Sequence, residues 1–257
     1  MSSVNTSNKL GAAGGGKVQS NDSLIQTPTG TITMSEVKVG DIILGVDGER
    51  QKAIAKYPHK NWKFNRITFS DGSSTEAGDE HLWTVFLDGV KTTIDTAKVK
   101  ELISCGKEVS IQTTSPVKYD GFDVEDAYQV GKSLDISRDS LKDFLLANLE
   151  SRELILKGFL EANGGVIKPT YTNILQSLTK IVQSLGGIVE DGLIKLPEQG
   201  DVFRRFKSIE YSRHCDGACI TVSNPDRLYL TDDFIVTHNS FAGLAFHLKH
   251  IQDPNYK

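Results

Sequence analysis

Residues 218–240 read A-C-I-T-V-S-N-P-D-R-L-Y-L-T-D-D-F-I-V-T-H-N-S. Three short runs in this stretch, A-C-I-T-V, L-Y-L and F-I-V, are rich in β-branched and large apolar residues, and turn-forming Asn, Pro and Asp residues separate them. The pattern predicts three β-strands. The last of them runs directly into Thr237, His238, Asn239 and Ser240.

The same strand pattern covers most of the first half of the chain. Between about residues 22 and 118, the runs T-I-T-M, D-I-I-L-G-V-D-G, N-R-I-T-F-S-D-G and H-L-W-T-V-F-L-D-G alternate apolar and polar residues, and three of them end in D-G turns. Between about residues 137 and 186 the apolar spacing becomes helical, and Gly186 stands where a helix C-cap glycine is expected. Strands return from about residue 207. We therefore predict a mainly β fold that a helical block interrupts.

A phosphate-binding loop is split between the two ends of the chain. Residues 11–17 read G-A-A-G-G-G-K and lack the Ser or Thr that should follow. Joining Lys17 to Ser240 completes the motif as G-A-A-G-G-G-K-S and continues it into an amphipathic helix, with Gly11, Gly16, Lys17 and Ser240 as the nucleotide-binding residues. The loop works only when its residues are contiguous at a helix N-terminus. Residues 18–239 therefore read as an insertion that has to be removed.

The second junction carries groups that can cleave a peptide bond. The carboxamide of Asn239 can attack its own main-chain carbonyl, His238 can protonate the departing amine, and Ser240 supplies a hydroxyl nucleophile. The tripeptide alone is also typical of an ordinary loop, with a turn Asn beside a surface His. Its position directly after a strand, where the phosphate-binding loop resumes, favours the chemical interpretation.

Composition limits the classes of protein that remain. With 38% hydrophobic and 24% charged residues and a net charge of −4, the chain is predicted to be globular, without general attraction to nucleic acid. No apolar run is long enough to span a membrane, and the first residues lack a signal peptide, so we expect a cytoplasmic protein. Three cysteines, Cys105, Cys215 and Cys219, are an odd number that argues against a disulfide framework and is compatible with a reactive thiol.

Residues 18–30, V-Q-S-N-D-S-L-I-Q-T-P-T-G, and residues 218–240 resemble the first and last sequence blocks of inteins. The resemblance implies a horseshoe-shaped, mainly β Hint (Hedgehog/intein) splicing domain with a small α-rich insert. It divides the chain into an N-terminal extein (1–17), a splicing domain in two parts (18–118 and 205–239), a degenerate homing-endonuclease-like insert (119–204) and a C-terminal extein (240–257).

One departure from the common intein pattern identifies a subclass. Inteins usually begin with Cys or Ser, but this chain has Val18 there, and it has Cys219 where most inteins carry Asp. Trp83 follows His81 by two residues, and Thr237 directly precedes the terminal His-Asn pair. This combination resembles class 3, or Trp-Cys-Thr type, inteins, in which the internal Cys attacks directly.

The resemblance implies a reaction sequence. Cys219 attacks the Lys17–Val18 peptide bond, the acyl group moves to Ser240, Asn239 cyclises, and the flanks are ligated. His81 is expected to assist at the N-terminal scissile bond and His238 at the C-terminal one, while Trp83 and Thr237 pack and hydrogen-bond around the thiol.

Several further expectations follow from that mechanism. The chain would be a single-turnover autocatalyst rather than a conventional enzyme, with no cofactor and no metal. Its partners would be its own flanking exteins, with no small-molecule substrate and no membrane. It is expected to be a monomer.

The helical block contains L-K-G-F-L-E-A-N-G-G (residues 156–165), which resembles the LAGLIDADG motif of homing endonucleases. Asn163 occupies the position where that family has an acidic metal ligand. The block also lacks a strong basic stripe. We therefore expect an inactive remnant that does not bind DNA.

The flanking residues resemble the ATPase of a phage terminase large subunit, a DNA-packaging motor. Three alternatives to a self-splicing protein remain: a fragment of a P-loop DNA-packaging ATPase that uses G-G-G-K directly, an active LAGLIDADG homing endonuclease, and a cleavage-only relative of inteins.

Overall fold

The computed structural model describes residues 17–134, 141–165, 174–197 and 201–238. Strands are the main regular secondary structure in these ranges. They are β1 (Gln19–Ser20), β2 (Leu24–Thr27), β3 (Gly30–Thr33), β4 (Ile42–Leu44), β5 (Arg50–Phe69), β6 (Ser74–Ala77), β7 (Leu82–Leu87), β8 (Val90–Asp95), β9 (Val109–Gln112), β10 (Ile188–Glu190), β11 (Leu193–Lys195), β12 (Phe203–Val222), β13 (Leu228–Thr231) and β14 (Ile235–His238). The mainly β prediction is confirmed.

The largest sheet has the strand order β4-β5-β6-β1-β12-β9-β7-β8, and β5 also pairs directly with β12. The two 20-residue strands β5 and β12 run antiparallel over almost their whole lengths, with register shifts at several points. Such irregularities increase the local twist of long strands. The β5–β12 pair is therefore the longest strand pair in the described residues.

The short strand β1 lies between β6 and β12, although its partners are distant in sequence. Gln19 pairs with Ala77 on one side and with Ala218 on the other. The beginning of the described chain is therefore held in the interior of a sheet and not at its edge.

A four-stranded sheet of order β14-β13-β2-β3 contains the C-terminal strands. A single bridge between Gly45 and Tyr229 joins it to the end of β4. Because β13 and β14 form a hairpin, the residues before Asn239 return along the strand that carries Tyr229.

The helices are α1 (Thr96–Ser104), α2 (Ala127–Lys132), a 3-10 turn (Leu141–Phe144), α3 (Leu149–Ala162) and α4 (Leu175–Ser184). Helix α1 lies within the stretch that the alternation pattern predicts to be all strand. Asp95 caps it by accepting a hydrogen bond of 2.7 Å from the backbone N–H of Lys98. An Asp that accepts a hydrogen bond from the backbone N–H three residues later is an ordinary N-cap. The sequence therefore contains a helix-start signal at Asp95, although it consists of one residue.

Helices α2, α3 and α4 bury a core of their own, built from apolar residues between 127 and 185. Gly186, with φ of +79°, follows Leu185, the C-cap of α4, and the N–H of Gly187 donates to the Val182 carbonyl at 2.9 Å. This is the Schellman end that the glycine predicts. The hairpin β10–β11 follows immediately, which helical periodicity alone did not predict.

The β part contains three further clusters of buried apolar side chains. One surrounds Trp83 between α1 and the large sheet, a second includes Ala218 and Tyr229, and a third includes Val117 and Phe234. None of the helices in the described ranges has the length and apolar character needed to cross a membrane.

Candidate functional site

The N-terminal junction is buried against the strand that carries Cys219. Val18 is fully buried, and its carbonyl accepts a hydrogen bond of 3.1 Å from the N–H of Gly78. Strand β1 pairs Gln19 with Ala218 and Ser20 with Gly217. The same antiparallel register, extended by one residue, puts Val18 opposite Cys219, so the two residues share a face of the sheet.

Cys219 is 1% exposed and lies on β12, where Tyr57 of β5 is its partner on the other side. The three cysteines all belong to the described residues and form no disulfide. Burial lowers the pKa of the Lys17 ammonium, while the negative charge of Cys219 opposes that shift and the positive charge of Arg227 adds to it. The Lys17 side chain is thus close enough to Cys219 for a charge on the sulfur to affect it.

His81 connects the two junctions. Its imidazole is completely buried, and its Nε2 lies 2.5 Å from Oγ1 of Thr237 on β14. Burial lowers the pKa of His81 to about 3, the Lys17 backbone carbonyl acts in the opposite direction as a hydrogen-bond acceptor, and the charges of His238 and Lys17 lower the pKa further. The ring is therefore neutral near pH 7.

The second nitrogen of the His81 ring, Nδ1, is buried and makes no hydrogen bond of normal geometry to the described residues. A buried polar atom that makes no hydrogen bond of normal geometry is uncommon and needs a structural or functional explanation. Because the Lys17 carbonyl acts on this imidazole, the ring nitrogen that Thr237 does not occupy is suited to proton transfer at the Lys17–Val18 bond.

Trp83 holds the backbone and ring of His81 in place. Its indole N–H donates to Oγ1 of Thr96 at 2.9 Å, and the Thr96 hydroxyl and N–H donate to the His81 carbonyl at 3.2 and 2.9 Å. The Trp83 and His81 rings lie 4.9 Å apart. The hydrogen bonds of Trp83 and Thr237 are with Thr96 and His81, and the expectation that the two residues also pack around the Cys219 thiol stays a prediction.

The C-terminal junction is reached through the hairpin β13–β14. Thr237 pairs with Tyr229, and His238 pairs with Leu228. Asn239 and Ser240, and the loop residues Gly11 and Gly16, lie outside the described residues.

Sequence reasoning missed three residues that the fold brings to this site. The buried hydroxyl of Tyr229 donates to Oε1 of Gln19 at 2.5 Å, which ties the C-terminal hairpin to the residue after Val18. Thr96 is the third, through its contacts to Trp83 and His81. No local motif marks Gln19 or Tyr229, because the contact joins residues 210 apart in sequence.

The degenerate motif of the insert has a structural use for its Asn. Asn163 is the C-cap of α3, and its side-chain N–H donates to the Phe159 carbonyl at 2.8 Å. Within the described ranges, no group of three or more His, Cys, Asp or Glu residues is arranged to hold a metal ion.

The chain was compared with protein-family models, curated proteins and solved structures. Neither protein-family models nor curated proteins gave a match. Among solved structures, the chain is similar to the MchDnaB-1 intein, at 17% identity, over 86% of this chain and 99% of that chain, with a TM-score of 0.41. It is similar to the gp41-1 intein at 15% identity, over 88% and 99% of the two chains, with a TM-score of 0.41. A variant of the Ssp DnaB mini-intein matches at 12% identity, over 90% and 97%, with a TM-score of 0.46.

Proposed function

We propose that residues 18–239 are a self-splicing class 3 intein that removes itself from a P-loop protein. The observation that carries this proposal is the register of β1 on β12, which extends to bring Val18 opposite Cys219. Val18, the first residue of the proposed intein, cannot be a nucleophile, so the nucleophile has to come from another residue. This register brings a buried thiol opposite Val18.

In the first step the Cys219 sulfur bonds to the Lys17 carbonyl carbon, and the bond from that carbon to the Val18 nitrogen breaks. The thiol loses one proton and the departing amine gains one. Neutral His81 can accept the proton of the thiol and return it to the departing amine, because its ring is close to the Lys17 carbonyl. The product is a branched thioester with residues 1–17 attached to Cys219.

In the second step the Ser240 hydroxyl attacks the thioester carbon and the Cys219 thiol leaves. The Asn239 side-chain nitrogen then attacks its own main-chain carbonyl, and the bond to the Ser240 nitrogen breaks, leaving a succinimide. His238 assists the proton transfer to that amine. The released amine attacks the ester, and the resulting O-to-N shift produces an ordinary Lys17–Ser240 peptide bond. Every bond broken is matched by one formed, so no cofactor or external energy source is needed.

The ligated flanks restore G-A-A-G-G-G-K-S, in which Gly11, Gly16, Lys17 and Ser240 can bind a nucleotide. We infer a host of the P-loop ATPase class, similar to the large subunit of a phage terminase. In this proposal the insert takes no part in DNA cleavage, in keeping with the use of Asn163 as a helix cap.

Intact mass of the freshly expressed chain tests the proposal. We expect an excised product of residues 18–239 and a ligated peptide of the two flanks. Cys219→Ala should abolish both products, whereas Val18→Ala and the control Cys105→Ala, which changes an exposed cysteine, should still splice. Ligation by Cys219→Ala, or loss of ligation in Val18→Ala alone, would refute the class assignment.

A further inference from the structure

The turn between β13 and β14 has an unfavourable backbone conformation. Asp232 has φ of +45° and Phe234 has φ of +56°, and neither is a glycine. Residues with side chains adopt this left-handed region only when surrounding contacts enforce it. Because β14 begins at Ile235, the turn sets the path of the strand that ends at His238.

Contacts from the β part hold the first residue of this turn. The Asp232 carboxylate accepts hydrogen bonds from the Leu24 N–H at 2.8 Å and from the Thr75 hydroxyl at 2.6 Å. The Asp232 carbonyl accepts a bond of 2.6 Å from Nε2 of Gln26.

The helical insert holds the next residue directly. Lys180 of α4 forms an ion pair with Asp233, and the two side chains are only 31% and 28% exposed. The same Asp233 carboxylate accepts a hydrogen bond of 3.3 Å from the Ser74 N–H. A half-buried pair is screened less by water than a surface pair, so it constrains the turn more strongly.

A second route joins the insert to the same turn. The buried guanidinium of Arg152 on α3 lies 5.0 Å from the centre of the Tyr119 ring. The Tyr119 hydroxyl donates to Oε1 of Gln26 at 3.3 Å, and the other end of the Gln26 amide holds the Asp232 carbonyl. Helix α4 therefore contacts the turn directly through Lys180. Helix α3 is linked to it indirectly, through Tyr119 and Gln26.

We propose that the helical insert positions the C-terminal junction for cleavage, with Lys180 as a positioning residue that acts through Asp233 and β14. The inference rests on the proposed splicing function and gives the insert a role in it. It concerns the step at Asn239, since the turn leads into the strand before that residue. Attack of Cys219 on the Lys17–Val18 bond depends mainly on the pairing of β1 with β6 and β12. Thr237 of β14 contacts His81, so this step should depend on Lys180 to some extent, but much less than the step at Asn239.

The test compares Lys180→Met with Lys195→Met in the full chain. Lys195 is the matched control, because it is also an insert lysine with one carboxylate partner, Glu190, but contacts the hairpin β10–β11 instead of the turn. Branched thioester, succinimide product and ligated flanks are followed over time by intact mass. We expect Lys180→Met to slow cleavage before Ser240 about tenfold, with accumulation of the branched form, while cleavage after Lys17 changes less than about twofold. Lys180→Arg should restore the rate.

The outcomes separate the two proposals. If the unaltered chain does not splice, the proposed function fails. If it splices and Lys180→Met behaves like Lys195→Met, or slows both cleavages equally, the positioning role of Lys180 is refuted. Thermal unfolding of each variant is measured in a Cys219→Ala, Asn239→Ala background. This distinguishes a general loss of stability from a selective effect on one step, and a general loss of stability would also refute the positioning role.

Discussion

At the residue scale, the feature that matters most is the buried neutral histidine His81, which lies between Lys17 and Thr237. His81 contacts Thr237 on the β13–β14 hairpin; burial lowers its pKa, and the backbone carbonyl of Lys17 partly opposes that shift. Its surroundings favour the neutral ring, since transfer of an imidazolium into this interior would lose hydration without a counter-ion. Such a ring can accept and return a proton without first losing one to solvent.

The low pKa of His81 predicts a dependence of stability on pH. Its folded pKa of about 3 lies below the unfolded value of about 6.5, so the unfolded chain binds the proton first as pH falls. The contribution of His81 is complete above about pH 6.5 and is lost between there and about pH 3, at up to about 1.4 kcal/mol per pH unit. Denaturant titrations of the Cys219→Ala, Asn239→Ala precursor at pH 4 to 7 measure the slope.

Adding His81→Gln to that precursor should make this slope shallower, because glutamine does not titrate. Equal slopes with and without His81 would contradict the assignment of the effect to this residue.

At the element scale, the position of the Lys17–Val18 bond depends on how closely β1 approaches β12. Gly217 faces Ser20 across this pair. A Cβ atom at Gly217 would lie 2.5 Å from the Gln19 carbonyl oxygen and 2.8 Å from Cγ1 of Val18. Since one obstacle is backbone, the side chain could be accommodated only by moving β1 away from the strand that carries Cys219.

Gly217→Ala is therefore expected to lower the free energy of unfolding by about 1–3 kcal/mol, as overpacking does. It should also slow cleavage after Lys17 more than cleavage before Ser240. Quenched time courses and denaturant unfolding check the two effects. Lys207→Ala, at an exposed position of β12 ten residues before Gly217, is the control and should change neither strongly. Wild-type behaviour of Gly217→Ala would show that β1 does not lie this close.

At the scale of the whole molecule, a buried arginine joins the insert to the β part. The Arg152 guanidinium is fully buried and donates to the Ala147 carbonyl at 3.0 Å, to the Ser184 hydroxyl and to the Val117 carbonyl. Burial lowers its pKa to about 10, so it stays charged at neutral pH. Three acceptors from three segments depend on this one side chain.

Arg152→Met should cost about 2–4 kcal/mol of unfolding free energy, because it leaves those acceptors buried without donors. Arg66→Met, at an arginine that is 58% exposed, should cost less than about 1 kcal/mol. Denaturant unfolding of the inactive precursor measures both. Similar costs for the two variants would mean that Arg152 is not the joint between the insert and the β part.

What the sequence determined by itself was local. The alternation of residues 65–72 and 81–89 fell in strands, the helical spacing before Gly186 fell in α4, and Gly186 ended that helix, because pattern and capping act between neighbours. The sequence did not predict helix α1, because a nine-residue helix with a single capping Asp gives a weak signal inside a β-rich stretch.

Only the tertiary structure decided which distant residues meet. The sequence named Cys219, His81, Trp83 and Thr237, but it could not show that β1 enters the sheet beside Cys219, nor that Trp83 acts on His81 through Thr96. The sequence also did not predict the contacts of Tyr229 with Gln19 and of Lys180 with Asp233. Pairings of this kind depend on strand register and on packing between segments far apart in the chain, and no local pattern encodes either.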